Sequence, residues 1–166
     1  MKQPITSKQY FLTLNLTYYL QAFSVLLFSG VVAFLITQRK DEAEADTQAW
    51  TYIVPTLTIV SMVIAYFVFR MMVDKIKPTQ SLREKMPSYG RAILVRSALL
   101  ELPGFLAAIA AYLTAHAYFL GASIMIFLIF LILRPSRNTI ASDLNLSPKE
   151  RDQLDDDDAV ISQVNR

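Results

Sequence analysis

Glu101 is the side chain best placed to do chemistry in an apolar setting. It lies in the run Arg96-Ser-Ala-Leu-Leu-Glu101-Leu-Pro103-Gly104-Phe-Leu-Ala107-Ala108. From Ala92 to Leu133 the chain offers only Arg96, Glu101 and His116 as acid, base or imidazole. A carboxyl inside hydrocarbon costs roughly 2.5–3.5 kcal/mol on insertion scales and turns towards the bundle interior. Desolvation disfavours its charged form, so a neutral, hydrogen-bonded carboxyl is expected. The chemistry open to such a group is reversible binding of a proton or a small cation.

The neighbours decide whether that chemistry is available. Arg96 is five residues away, which turns it about 140° around a helix from Glu101. Arg70 falls near the level of Arg96 and too shallow to meet the acid. Ser61 and Tyr66, on the preceding apolar stretch, match Glu101 in depth, so Glu101, Tyr66 and Ser61 form the candidate ion or proton site. Pro103 withholds a hydrogen bond from the Leu99 carbonyl and predicts a kink, which Gly104 opens further. Gly104, Ala108 and Ala111 belong to small-residue ridges that allow close helix approach. The same residues also read as a kinked packing helix whose acid merely hydrogen-bonds a neighbour, and both readings stay open.

The elements that must position this acid are membrane spans. Hydrophobic residues make up 54% of the 166-residue chain, charged residues 18%, and mean hydropathy is +0.36. A typical soluble domain is about 45–50% apolar and about 25% charged. A helix needs about 20 apolar residues to cross the hydrocarbon core. Spans are predicted at about 10–37, 51–73, 92–113 and 117–133, an all-α four-helix bundle. The first is far longer than the 7–15-residue core of a signal peptide and is read as a retained helix. Pro55 is expected near the start of the second span, where a missing N–H costs least. The long apolar stretch after Arg91 must fold back, and its turn is placed near Leu113–Ala117.

Between the spans, Gln38–Ala49 reads as a solvated acidic loop, flanked by Trp50 and Tyr52 at an interface. Ser81-Leu-Arg-Glu84 has capping-box spacing and predicts a brief helix ending before Pro87. Arg70, Lys75, Lys77, Arg83, Lys85, Arg91 and Arg96 are candidates for lipid head groups, although their simpler role is to set topology. After Arg134-Pro135 the chain turns polar. Residues 1–137 are read as a transmembrane domain and 138–166 as a cytoplasmic tail. Within the tail, Ser147-Pro148-Lys-Glu150 predicts a short helix to about Leu154, and Asp155–Asp158 a frayed acidic end.

Lys and Arg number two before the first span, five after the second and five after the fourth, against two in the first loop. Twelve against two places both termini in the cytoplasm, in a multi-pass protein of the inner or plasma membrane. No cysteine is present, which excludes disulfides and thiolate chemistry, and a lone His116 excludes a His-rich metal cluster. With no nucleophile–base pair, phosphate loop or cofactor motif, neither an enzyme nor a cofactor is expected. A net charge of +2 gives no electrostatic case for nucleic acid.

The second span, the basic loop and the run ALLELPGFLAAIAAYL together resemble the hairpin of rotor-ring proteolipid (c) subunits of rotary ATPases, over about residues 51–115. That resemblance implies a membrane carboxylate at Glu101 that binds a proton or sodium ion beside small residues. The second span lacks the glycine-rich face of a ring's inner helix. The chain as a whole resembles a small four-span bacterial membrane protein. The expected function is ion- or proton-coupled transport, or ion binding, through Glu101. The alternative is a non-catalytic scaffold or accessory subunit. Expected partners are the lipid bilayer and either further copies of the chain or a larger membrane complex.

Overall fold

The computed structural model describes residues 2–39 and 47–165. Three long helices carry most of the chain: α1 (Ser7–Gln38), α2 (Thr47–Asp74) and α3 (Leu82–Thr114). A 3-10 turn (Ala117–Phe119) leads into α4 (Leu120–Ile132), followed by α5 (Arg137–Asp143) and α6 (Pro148–Asp155). Two strands, β1 (Lys2–Thr6) and β2 (Val160–Asn165), pair antiparallel, with Ile5 opposite Ser162.

At 32, 28 and 33 residues, α1, α2 and α3 are long and apolar enough to cross a membrane. The stretch Ala117–Ile132 joins them as a fourth candidate only if counted with α5, from which it is bent by 79°. Pro135 causes that break, because the residue before a proline is pushed out of helical geometry. The helices are inverted relative to those of a water-soluble protein. Leu12, Leu16, Leu20, Phe23, Leu27, Val31 and Phe34 of α1 all point outward, as do Ile59, Val63 and Phe67 of α2. Inside lie small side chains: Ala22, Ala65, Ala107, Ala108, Ala110 and Ala111 are almost wholly buried. Large apolar residues outside and alanine inside suit a hydrocarbon solvent, where close backbone packing replaces the hydrophobic effect.

Two compact units emerge. One comprises Tyr19–Tyr66 and Arg96–Leu133. Its core sets Val32 and Val54 against the four buried alanines of α3 and Phe119. α3 ends at Thr114, and Ala115 takes a left-handed conformation (φ 54°) that starts the turn, within the interval the sequence indicated. The other unit comprises Met1–Tyr18, Phe67–Val95 and Arg134–Arg166. Its buried residues include Tyr89, Met86, Ile93, Ile140, Leu154 and Ile161.

Several local expectations are corrected. Pro87 does not end a short helix: α3 starts at Leu82 and continues through it. The proline stands one turn past the N-terminus, where only the Arg83 carbonyl loses its partner. Pro55 lies inside α2, because that helix begins at Thr47. Residues 40–46 of the acidic loop lie outside the described residues.

Asp155–Asp158 is not a frayed end. Arg137 donates to the Asp155 carbonyl (2.7 Å) and pairs with the Asp157 carboxylate, and Lys8 N donates to the Asp157 carbonyl (3.2 Å). These bonds shape the turn that delivers β2 to β1. Buried Ser7 fastens the same corner by donating its hydroxyl to the Leu154 carbonyl (2.6 Å). α6 matches expectation, with a complete Ser147/Glu150 capping box and Pro148 at its first position.

Candidate functional site

Glu101 occupies a half-buried position on α3. Four residues earlier, one turn back on the same face, stands fully buried Ser97. Across from them, α1 presents Gln21 and Ser24, three residues apart. The Ser97 hydroxyl donates to Gln21 Oε1 at 2.5 Å, and Ser24 Oγ lies at hydrogen-bond distance, 2.7 Å, from Glu101 Oε1. Ser24 Oγ also lies 2.6 Å from the Gln21 backbone carbonyl. Four polar side chains thus form a seam between two otherwise apolar helices, closed at its centre by the carboxyl.

Close packing holds the seam shut. A Cβ on Gly104 would stand 2.6 Å from Val25 Cγ1, so only glycine lets α1 approach α3 this closely. Buried Ser123 donates to the Gly104 carbonyl at 2.8 Å and ties α4 to the same point. Pro103 is buried, and Ala108 and Ala111 belong to the alanine face that packs against Val32 and Val54. Ser24 also lines a shallow apolar groove of about 800 Å³ along α1, with Leu20, Phe23, Leu27 and Gly30.

The hydroxyl on Glu101 therefore comes from the first long helix, not the second. Ser61 is half-buried and Tyr66 is 55% exposed on α2. Depth matching selected them without knowing which helix α3 turns its acid towards. Gln21 and Ser24 stand as polar residues within the otherwise apolar run of α1. Ser97 was missed, although its i, i+4 spacing from Glu101 in an apolar helix is the signal that finds it.

Several of the candidate cations are engaged within the protein, and others lie at the surface. Lys85, a head-group candidate in sequence, is buried and paired with Glu150 (2.6 Å), since a buried ammonium needs a counter-charge. Arg96, another candidate, donates to the Leu133 carbonyl (2.9 Å) at the end of α4. Arg83 donates to the Val160 carbonyl (2.9 Å). Arg70, Lys75, Lys77 and Arg91 are exposed.

Comparison with known proteins adds no assignment. No protein-family model, curated protein or solved structure matches this chain. The site has to be read from its own geometry. Among the described residues, no group of three or more His, Asp or Glu side chains is arranged to hold a metal ion. What the seam offers is one carboxyl, two hydroxyls and an amide.

Proposed function

We propose that the chain is a four-span membrane protein with both termini on the cytoplasmic side, and that Glu101 is a proton-binding site serving ion- or solute-coupled transport. The observation that carries the reading is a proton count at Ser24. A hydroxyl has one hydrogen to give. Ser24 Oγ faces two oxygens at hydrogen-bond distance, the Gln21 carbonyl (2.6 Å) and Glu101 Oε1 (2.7 Å). A carbonyl can only accept, so both contacts are fully served when Glu101 carries a proton and donates it to Ser24. Ser24 then donates to Gln21. Loss of the proton breaks the relay and exposes a carboxylate to apolar surroundings, which couples the acid's charge to the α1–α3 contact. The groove beside Ser24 is the route by which the site meets the lipid phase.

A non-catalytic scaffold is the competing reading, favoured by the alanine face and the short Ser97–Gln21 bond, which make the seam a good structural clasp. Labelling of protein in membrane vesicles with a hydrophobic carbodiimide, located by peptide mass spectrometry, separates them. The proton-site reading expects labelling at Glu101 that fades as pH rises, is absent in Glu101→Gln, and increases when Ser24→Ala removes the partner. Labelling that ignores pH, or a Glu101→Gln protein that dissipates or builds ion gradients like the wild type, rules the reading out.

A further inference from the structure

We propose that the compact unit containing the termini holds a specific site for an anionic phospholipid, with the phosphate at Arg91 and the upper acyl chain in the cavity beneath it. The proposal rests on the membrane reading of the chain but not on any role of Glu101. The cavity is about 220 Å³ and lies between the start of α1, the first turns of α3 and the strand pair. Ile5, Leu14, Pro87 and Leu94 make its walls mainly apolar, and among the described residues no carboxylate lines it. Arg91 is exposed at its edge and makes no hydrogen bond or ion pair to the described residues. Its neighbours Lys85 and Arg83 are already engaged within the protein. A guanidinium beside an apolar cavity, with no protein anion to answer it, calls for a ligand that is anionic at one end and apolar at the other.

Further features point the same way. Thr13 is exposed on the wall, and its hydroxyl has no partner among the described residues, so it can donate to a phosphate oxygen. From Tyr10 to Thr17 the wall extends about 10 Å along α1. The head-group layer is only about 5–8 Å thick, so this wall is longer than that layer is deep. The back wall is fixed: Tyr10 donates its hydroxyl to the Met86 carbonyl (2.7 Å), and a Cβ on Gly90 would lie 2.8 Å from the Tyr10 hydroxyl oxygen. A preformed wall lowers the ordering cost of binding.

The test is native mass spectrometry of the full chain, stripped of lipid in detergent and offered phosphatidylglycerol or phosphatidylcholine. Expected is a preference for phosphatidylglycerol of about tenfold, equal to about 1.4 kcal/mol. Arg91→Gln should abolish it and Arg91→Lys retain part of it. Leu94→Trp, which fills the cavity and leaves the charge in place, should also abolish it, and Lys75→Gln should not. Equal retention of the two lipids by the wild type overturns the proposal. So does a preference that survives Leu94→Trp, or displacement of the lipid by millimolar glycerol phosphate, since either makes the cavity irrelevant. Circular dichroism of each variant separates lost binding from lost folding. Release of the wild type from membranes by alkaline carbonate would instead refute the membrane reading itself.

Discussion

Replacing Gly104 by alanine tests the packing that closes the polar seam. The new methyl carbon would stand 2.6 Å from Val25 Cγ1, 3.4 Å from its Cγ2 and 3.6 Å from Ile126 Cγ2. Carbon atoms attract best at about 3.5–4.0 Å, so the first contact is too short by about 0.9 Å. Val25 is fully buried and β-branched, with essentially one side-chain rotamer in a helix. It cannot swing aside, and α1 must move. Overpacking of this kind costs about 1–3 kcal/mol, while exchanging glycine for alanine in a helix returns up to about 1 kcal/mol. A net loss of about 1–2 kcal/mol is expected, measured as unfolding in mixed micelles of rising SDS content followed by helical circular dichroism. Val25→Ala removes the clashing methyls, so the double variant should recover about 1–2 kcal/mol relative to the sum of the singles. Ser24 adjoins Val25, so carbodiimide reactivity of Glu101 should rise in Gly104→Ala and fall back in the double variant. Unchanged or improved stability in Gly104→Ala, or strict additivity of the pair, would refute the reasoning.

Further outcomes follow from other sites. Burial raises the Glu150 carboxyl, but the hydrogen bond from Lys85, those from the Ser147 main chain and hydroxyl, and the Lys85 charge together hold it below the usual carboxylate range. A carboxyl lowered on folding adds stability that is present above its unfolded value and lost as pH falls through its folded one. The wild type should therefore lose stability on acidification below the ordinary glutamate range. Glu150→Gln should lose on the order of 3 kcal/mol at neutral pH, because it strands a buried ammonium, and show a flatter acid profile in the same unfolding assay. Ala115, at φ 54°, sits where an L-residue is strained by roughly 1–2 kcal/mol. Ala115→Gly should raise the melting midpoint, with a gain of up to about 1 kcal/mol after the extra chain entropy of glycine is subtracted.

The sequence by itself determined the long apolar helices, the turn after Thr114 and the cap of α6. Each follows from local properties: hydropathy over a helix length, the limit that length sets on one span, or a capping pattern. Only the tertiary structure decided which helix answers Glu101. Ser24, Ser61 and Tyr66 are all hydroxyls in apolar helices, and the choice depends on the rotation of α3, which Gly104 and the alanine face fix by contact with α1. The strand pair was hidden for a related reason. Lys2–Thr6 contains Pro4, which argues against a strand, and its partner lies near the far end of the chain. Pairing at such separation leaves no periodic trace in either segment. Lys85 and Arg91 look alike in sequence as loop cations, yet the fold buries one against Glu150 and leaves the other beside an apolar cavity. Charge count fixes how many cations a loop has, but only packing decides which of them already has a partner.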